Sequence, residues 1–291
     1  MKKYHTVLVL LIGIGFNVHA LSGEYYGSMN PYVVKDKFGG ALASYVFSGD
    51  TYNLVAGIRG TIAESEIPEQ YVNDGTYEEN GKYELVSSGK LNFIVFTSSS
   101  RFTYKKRLGI LVNERRLFLC EGDRFFFHPD EDLRWEGSMP AVTQVSVSSY
   151  LKEGQTGYSG QNFIRNKNLV LVPWVEGVAG NGEREWILLQ IHKKQFPTKY
   201  LVFVNGYVNF GKPKLYTDNS RIKRLRIECT SAGLNYSFDL SDTPELQTVK
   251  LPLEINLDNA QVRLTIEDVY PGDKFQDTCL GFVFPLGDLP E

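Results

Sequence analysis

The stretch from Trp174 to Ile187 combines residue types that bind carbohydrate: two tryptophans, three glycines and three glutamates. Glycine allows a tight backbone with positive φ, and an exposed Trp offers a sugar ring an apolar face and one N–H donor. An unpaired buried carboxylate is costly, so Glu176 is expected to face water, a cation or a ligand. This composition, in a loop at the edge of a β-sheet, indicates a sugar-binding surface with Trp174 and Glu176 as candidate ligand-binding residues.

A second set of polar and aromatic side chains stands at the ends of two further strands. One part of the set follows the apolar run at 202–204, and the other precedes a strand that begins near Ile222. If those strands are neighbours, the loops converge at one end of a sheet, where amide and guanidinium groups suit vicinal hydroxyls or a sialic carboxylate. The alternative is that Asn219 and Arg221 satisfy loop backbone and a surface acid. The five candidates are Asn205, Tyr207, Tyr216, Asn219 and Arg221.

Catalytic chemistry has less support in the sequence. Beyond residue 20 the chain holds two histidines, His128 and His192, and it contains no His-x-x-x-His, Cys-x-x-Cys or Gly-x-Ser-x-Gly spacing. Glu183 and Glu185 could share one face of a strand as a glycosidase pair, but a solvated loop edge is the preferred interpretation. We therefore predict that the protein is not an enzyme and that it holds no metal or cofactor.

Residues 1–20 have the composition of a secretory signal peptide. A positive start is followed by an apolar run from Thr6 to Phe16, and Ala20 supplies the small residue at the cleavage position. The run is shorter than the roughly 20 residues of a membrane-spanning helix, and no second run approaches that length. We predict an exported protein (periplasmic, at the outer surface or secreted) without an integral membrane segment.

Charge and composition restrict the partners. Removal of residues 1–20 changes the net charge from −3 to −5, because Lys2 and Lys3 are lost and no acid is lost. An acidic protein lacks the basic face that nucleic acid requires, so nucleic acid is not predicted as a partner. The 17 Tyr and 18 Phe residues, without long helical periodicity, indicate a β-rich chain. Nothing in the sequence specifies an oligomeric state.

Three cysteines are present. In an oxidising compartment Cys229 and Cys279 could form a disulfide, since both fall in the second predicted domain. The alternative is that both are small buried apolar residues. Cys120 is expected to be buried and unpaired.

Short alternating runs separated by turn residues predict a small antiparallel β-domain over residues 21–134. A segment with acids, glycine and proline then gives a linker at 135–142, and residues 143–291 form a second domain. In that domain apolar residues alternate cleanly with polar ones, which is typical of antiparallel sheets packed face to face. The second-domain runs are Leu225–Cys229, Leu234–Leu240 and Val262–Ile266.

Four blocks follow one another along the second domain: Trp174–Ile187, Val204–Tyr207, Leu215–Lys223 and Glu267–Cys279. In this order they resemble the discoidin-like (coagulation-factor type C-like) β-sandwich, and in particular the glycan-binding module found with secreted bacterial NAD-glycohydrolase toxins. The resemblance covers about 145–284 and implies a jelly-roll β-sandwich that binds glycans at its loop end. In such folds the first tryptophan of the motif often packs into the end of the sandwich, and Trp186 is predicted to lie in the core.

The chain departs from that family pattern in one loop. Arg165 and Asn166 stand where family members usually carry an Asp-Gly pair, after Asn162. Discoidin-like folds often hold a structural cation on loops of this kind. The missing carboxylate argues against a calcium site here.

These observations predict an all-β chain, a small antiparallel domain followed by a discoidin-like jelly-roll sandwich, that binds a glycan or glycoconjugate weakly and without catalysis. Two other functions remain open from the sequence. One is a secreted hydrolase or toxin-like protein with a catalytic N-terminal domain and a glycan-targeting module. The other is a structural envelope protein that binds only other proteins.

Overall fold

The computed structural model describes residues 23–27, 43–57, 72–73, 76–99, 105–113, 116–121, 124–126, 140–154, 156–162 and 172–287. The predicted signal peptide, residues 135–139 of the predicted linker, His128, Arg165 and Asn166 lie outside these residues. The chain divides into two compact units, residues 1–133 and 134–291. Within the described part, no helix combines the length and the apolar character needed to cross a membrane.

The first unit contains one antiparallel sheet in which successive strands along the chain are neighbours, except that Thr51–Gly57 pairs with Thr76–Ser88 and not with the short strand Val72–Asn73. Two of its hairpins, Ala43–Gly57 and Thr76–Ser98, close through two-residue turns. The first residues of these turns, Gly49 and Gly89, have φ of +62° and +60°, a conformation that glycine adopts at low cost. The strands are β1 (Gly23–Gly27), β2 (Ala43–Ser48), β3 (Thr51–Gly57), β4 (Val72–Asn73, beside β5), β5 (Thr76–Ser88), β6 (Leu91–Ser98), β7 (Lys105–Asn113), β8 (Arg116–Glu121) and β9 (Arg124–Phe126).

Aromatic rings from β2, β3, β5 and β6 pack together in the core of this unit, beside aliphatic residues of β6 and β7 such as Ile94 and Leu111. The Phe47 and Tyr83 ring centroids lie 5.1 Å apart, and those of Tyr52 and Phe96 lie 4.6 Å apart. Edge-to-face pairs of this kind add about 0.5–1.5 kcal/mol to the effect of burial. The buried Glu79 carboxylate accepts a hydrogen bond from the Tyr52 hydroxyl.

The second unit is a sandwich of two sheets, which confirms the predicted all-β architecture. Its strands are β10 (Ala141–Val147), β13 (Trp174–Val175), β14 (Trp186–His192), β15 (Thr198–Asn205), β16 (Ser220–Cys229), β17 (Leu234–Asp239), β18 (Leu246–Ile255), β19 (Ala260–Tyr270) and β20 (Thr278–Leu286). Their hydrogen-bonded order is continuous, β10-β14-β19-β16-β20-β15-β18, with β17 beside β16 and β13 beside β20. Two residue pairs join β16 to β20, and this joint divides the strands into the two sheets of the sandwich, β10-β14-β19-β16-β17 and β13-β20-β15-β18. Three short elements complete the described part of the unit: the hairpin β11 (Lys152–Glu153) and β12 (Thr156–Gly157), the helical turn α1 (Leu215–Asp218), and a 3-10 turn at Thr230–Ala232.

The two sheets meet at one corner, where the start of β16 pairs in parallel with the start of β20. Alternate residues of both sheets fill the space between them, including Leu225, Ile227 and Leu264 from one sheet and Leu201 and Phe203 from the other. Each such side chain is essentially inaccessible to solvent, and its burial stabilises the fold by about 1.5–3 kcal/mol. This core fixes the ends of the strands, and therefore the loops that follow them.

Cys229 and Cys279 are both buried and unbridged. Cys279 pairs with Arg221 near the start of β16, whereas Cys229 is the last residue of that strand. Eight residues of extended chain span about 26 Å, far beyond the roughly 7 Å Cα separation that a disulfide allows. The suggested bridge was therefore wrong, and the alternative of two buried apolar residues describes the molecule. Cys120 is also buried.

Candidate functional site

Five connections converge at the end of the sandwich where β15 and β19 finish and β16 and β20 begin, and we refer to this region as the loop end. Asn205, at the end of β15, is hydrogen-bonded to Ile222 on β16. Gly206 N–H donates to the Cys279 carbonyl. The loop end therefore unites the strand ends that the sequence suggested would be neighbours. Its connections are residues 148–160, 176–185, 206–219, 240–245 and 271–277.

Arg221 is the centre of a buried polar network at the loop end. Its Nη2 and Nε donate to the two carboxylate oxygens of Asp242 at 2.9 and 3.1 Å. Its Nη1 donates to the Asn219 and Pro271 carbonyls at 2.9 and 3.0 Å. The Tyr216 hydroxyl donates to Asp242 at 3.1 Å. One guanidinium therefore ties three connections together, and it is satisfied from within the protein.

Asn205 and Asn219 are also satisfied by backbone groups. Asn205 Nδ2 donates to the Ile222 carbonyl at 2.7 Å, and its Oδ1 accepts the Ile222 N–H at 3.0 Å. Asn219 Nδ2 donates to the Leu215 carbonyl at 2.8 Å. The Asn205 side chain therefore satisfies both backbone groups of Ile222 and ties the end of β15 to β16.

Trp174 and Glu176 lie inside the same end. The indole N–H of Trp174 donates to the Ser149 carbonyl at 2.9 Å. The Glu176 carboxylate accepts the N–H groups of Val178 at 2.7 Å and Thr278 at 3.3 Å. Burial raises the pKa of Glu176, although these two hydrogen bonds oppose the rise.

Six of the seven predicted ligand-binding residues are therefore buried scaffold. Trp174, Glu176, Asn205 and Tyr216 are 0% exposed, Asn219 is 7% exposed and Arg221 is 6% exposed. Their polar atoms already have protein partners, and these side chains present almost no surface to a sugar. The structure brings the predicted residues together, but as the support beneath a surface. Tyr207, which is half-buried, is the exception.

Tyr207 belongs to a cluster of tyrosines that the sequence reasoning missed. Its ring meets that of Tyr158 at 6.1 Å between centroids in an edge-to-face arrangement. Tyr150 is 37% exposed, with the Lys152 ammonium 5.0 Å from its ring centroid. The Tyr158 hydroxyl lies 3.4 Å from Glu153. We call Tyr150, Lys152, Glu153, Tyr158 and Tyr207 the tyrosine surface.

The β11–β12 hairpin positions the tyrosine surface. Its turn begins at Gly154, which has φ of +59°, and Tyr158 N–H donates back to the Leu151 carbonyl at 3.0 Å. Gly157 lies against the Tyr150 ring, so that a Cβ there would be 3.4 Å from it. The sequence signal was the pair Gly154 and Gly157 between tyrosines, which is typical of a short hairpin.

Burial raises the pKa of Tyr207, and the neighbouring Tyr158 adds to the rise. The Tyr207 hydroxyl is therefore neutral at physiological pH and can both donate and accept a hydrogen bond.

Glu185, close by in the loop end, is bound by the hydroxyls of Ser148 and Ser149. Within the described residues, no group of three or more His, Cys, Asp or Glu side chains is arranged to hold a metal ion.

Trp186 departs from its predicted place in the core. Its side chain is partly exposed on the outer face of the sheet that contains β14 and β19, with the Arg263 guanidinium 4.7 Å from its ring centroid. The alternation of β14 directs Ile187, Leu189 and Ile191 inward. The alternate residues of the strand, of which Trp186 is the first, face outward.

A family model described as the NAD glycohydrolase translocation F5/8 type C domain matches residues 135–284, which confirms the resemblance inferred from the sequence. No curated protein matches the chain.

Three solved structures are similar to it at low identity. A mutant of the lectin binding domain of lectinolysin complexed with Lewis b has 10% identity and a TM-score of 0.31, with 50% of this chain and 92% of that chain covered. An allantoicase has 11% identity and a TM-score of 0.31, with 93% and 74% covered. The allantoicase of Saccharomyces cerevisiae has 12% identity and a TM-score of 0.30, with 93% and 73% covered.

Proposed function

The chain belongs to the NAD glycohydrolase translocation F5/8 type C domain family, and from that premise we propose that its second unit binds carbohydrate weakly and without catalysis at the tyrosine surface. The observation that carries the proposal is the grouping of Tyr150, Tyr158 and Tyr207 at the loop end. Phenol rings offer the apolar faces on which the C–H face of a sugar stacks. Lys152 and Glu153 add a cationic donor and an anionic acceptor for hydroxyl groups.

Buried hydrogen bonds of Trp174, Val175 and Asn205 hold this surface in place. Trp174 fixes Ser149, the residue before Tyr150, and the Val175 N–H donates to the Tyr158 carbonyl at 3.0 Å. Asn205 fixes the end of β15, two residues before Tyr207. Because the rings are held before a ligand arrives, less entropy is lost when it binds.

The affinity expected from such a surface is low. Each hydrogen bond to a sugar hydroxyl contributes about 0.5–1.5 kcal/mol net, since water is displaced from both partners. A few such bonds and one or two stacked rings give about −4 to −8 kcal/mol, which corresponds to millimolar to micromolar dissociation constants. Useful adhesion at that strength requires multivalent display.

A glycan array probed with the full chain tests this function. We expect binding to a restricted set of glycans, and we expect Tyr150→Ala combined with Tyr207→Ala to abolish it. The matched control is Tyr236→Ala, which removes a 42% exposed tyrosine from the edge strand β17. Circular dichroism must show that the double variant is folded. A folded double variant that binds like the parent would place the site elsewhere.

Two further parts of the proposal have separate tests. Export through the segment at residues 1–20 predicts that the protein recovered outside the cytoplasm begins at Leu21, which N-terminal sequencing measures. The absence of catalysis predicts no turnover of NAD or of glycosides by the full chain. Turnover that is lost on a point mutation in the first unit would instead support the toxin-like alternative.

A further inference from the structure

At the opposite end of the second unit from the loop end, two turns cross side by side from one sheet to the other. Residues 193–197 join β14 to β15, and residues 256–259 join β18 to β19. The turns are neighbours because the strands that they join are paired, at Ile191 with Ala260 and at Thr198 with Ile255. A depression lies there, and it is lined by His192, Lys193, Lys194, Asn256, Leu257 and Asp258.

Hydrogen bonds hold the two turns in a defined relation. His192 Nδ1 lies 2.8 Å from Asp258 Oδ1, and the Lys193 backbone N–H donates to the same oxygen at 3.2 Å. Lys194 and Asn259 have φ of 52° and 55°, a region that few non-glycine residues occupy. The lining residues are therefore positioned by both turns together.

The depression is basic in a chain whose net charge is −3. Two lysines line it, and its single lining acid, Asp258, already faces His192 and the Lys193 N–H. Residues 192–199 contain three lysines, one histidine and no acid. Because Lys193, Lys194 and Asn256 line the depression, the residues around an anion there would include two cations and one amide.

We infer that this depression binds a tetrahedral oxyanion, the phosphate or sulfate group of a monoester or of the free ion. Lysine binds phosphate as a strong point charge with three donors, and the Asn256 amide adds a neutral donor. The depression is small and open, which suits a single charged group. This site lies at the other end of the sandwich from the tyrosine surface and does not depend on the glycan-binding proposal.

Titration calorimetry of the full chain with inorganic phosphate, sulfate and glucose 6-phosphate tests the site. We expect saturable millimolar binding, weakened about tenfold or more by Lys193→Ala combined with Lys194→Ala, since each close ammonium supplies a charge-assisted hydrogen bond. The matched control is Lys212→Ala with Lys214→Ala, which removes the same charge from exposed positions in the loop end and should leave the affinity unchanged. Tighter binding of glucose 6-phosphate than of the free ions would identify the monoester as the ligand source.

Asp258→Asn provides a test in the opposite direction. The substitution keeps an acceptor for the Lys193 N–H but removes the carboxylate that repels an anion, so binding should tighten. Three results would overturn the inference: no saturable binding of any probe, equal affinity of the Lys193/Lys194 variant and the parent, or equal weakening by the Lys212/Lys214 control.

Discussion

The buried network and the tyrosine surface share the loop end, yet they differ in what their side chains can reach. In the network, Arg221, Asp242 and Tyr216 direct their polar atoms at one another and at backbone carbonyls. In the tyrosine surface, Tyr150 and Lys152 are exposed. The difference shows that polar and aromatic residues at strand ends can be buried support, while a short hairpin supplies the exposed side chains that we propose as the binding surface.

The largest difference between the buried network and the tyrosine surface should be in stability, and a substitution in the network should show it. Arg221→Ala leaves Asp242 without its cation and leaves buried carbonyls without donors, so we expect a loss of about 3–5 kcal/mol in the free energy of unfolding. Urea unfolding of the full chain measures it. Arg224→Ala is the control, because that arginine is 50% exposed in its ion pairs with Asp239 and Glu267 and should cost at most about 1 kcal/mol. Similar losses of stability in both variants would show that the Arg221 network does not stabilise the loop end more than a surface ion pair does.

The sequence predicted the strands that carry the loop end well, because their buried and exposed residues alternate along the chain. The inward residues of β16 and β19 are those that the period of two indicated, and their loops converge as expected. The sequence left open whether Asn219 and Arg221 bind a ligand or satisfy loop backbone and an acid, and the structure has the second arrangement. It did not identify the partners of the polar residues. The partners that satisfy Asn205 and Arg221 lie 17 and 21 residues away, and those of Glu176 include Thr278, which lies 102 residues away. Periodicity carries no information about such pairings.

The tyrosine surface was missed for a related reason. Tyr150 and Tyr158 stand in an irregular stretch, where neither hydrophobic period applies. Tyr158 lies beside Tyr207, across 49 positions of the chain, only in the folded loop end, where the Val175 N–H donates to the Tyr158 carbonyl at 3.0 Å. Tyr207 alone was assigned from the sequence, because it follows a recognisable strand.

The next effect tests how tightly the network is packed. Gly206 has φ of +78°, and a Cβ there would lie 2.6 Å from Arg221 Cγ and 3.0 Å from Tyr216 Cε2. Gly206→Ala should therefore cost about 2–3 kcal/mol, from backbone strain together with overpacking. Gly233→Ala is the matched control, since Gly233 has φ of +66° with no atom within 4 Å of its Cβ position; it should cost only about 1 kcal/mol. Thermal unfolding of both variants measures the difference, and equal costs would mean that the network yields to an added methyl group.

A smaller effect concerns pH. Because burial raises the pKa of Glu176 above its ordinary value of 4.5, the folded state binds this proton more readily than the unfolded state does. The contribution of Glu176 to stability is therefore greatest below about pH 4.5 and falls as pH rises through the raised pKa. Glu176→Gln should remove that slope, and the difference between parent and variant in the free energy of unfolding between pH 4.5 and 7 measures it. Glu183→Gln, at an exposed position of the same loop, should leave the slope unchanged. A slope that persists in Glu176→Gln would assign it to another group.

The smallest effect on stability should come from the tyrosine surface, and it separates stacking from hydrogen bonding. Tyr158→Phe removes a hydroxyl whose contact with Glu153 is long, 3.4 Å, and exposed, but it keeps the ring against Tyr207. We expect the free energy of unfolding to change by at most about 0.5 kcal/mol, as at other surface positions. If ring stacking dominates glycan binding, the affinity measured by titration should change less than about threefold. If the Tyr158 hydroxyl bonds the sugar directly, its removal should weaken binding about tenfold, near the upper end for one hydrogen bond. A loss of stability well above 0.5 kcal/mol would instead show that Tyr158 supports the fold, and it would contradict the division between the buried network and the tyrosine surface.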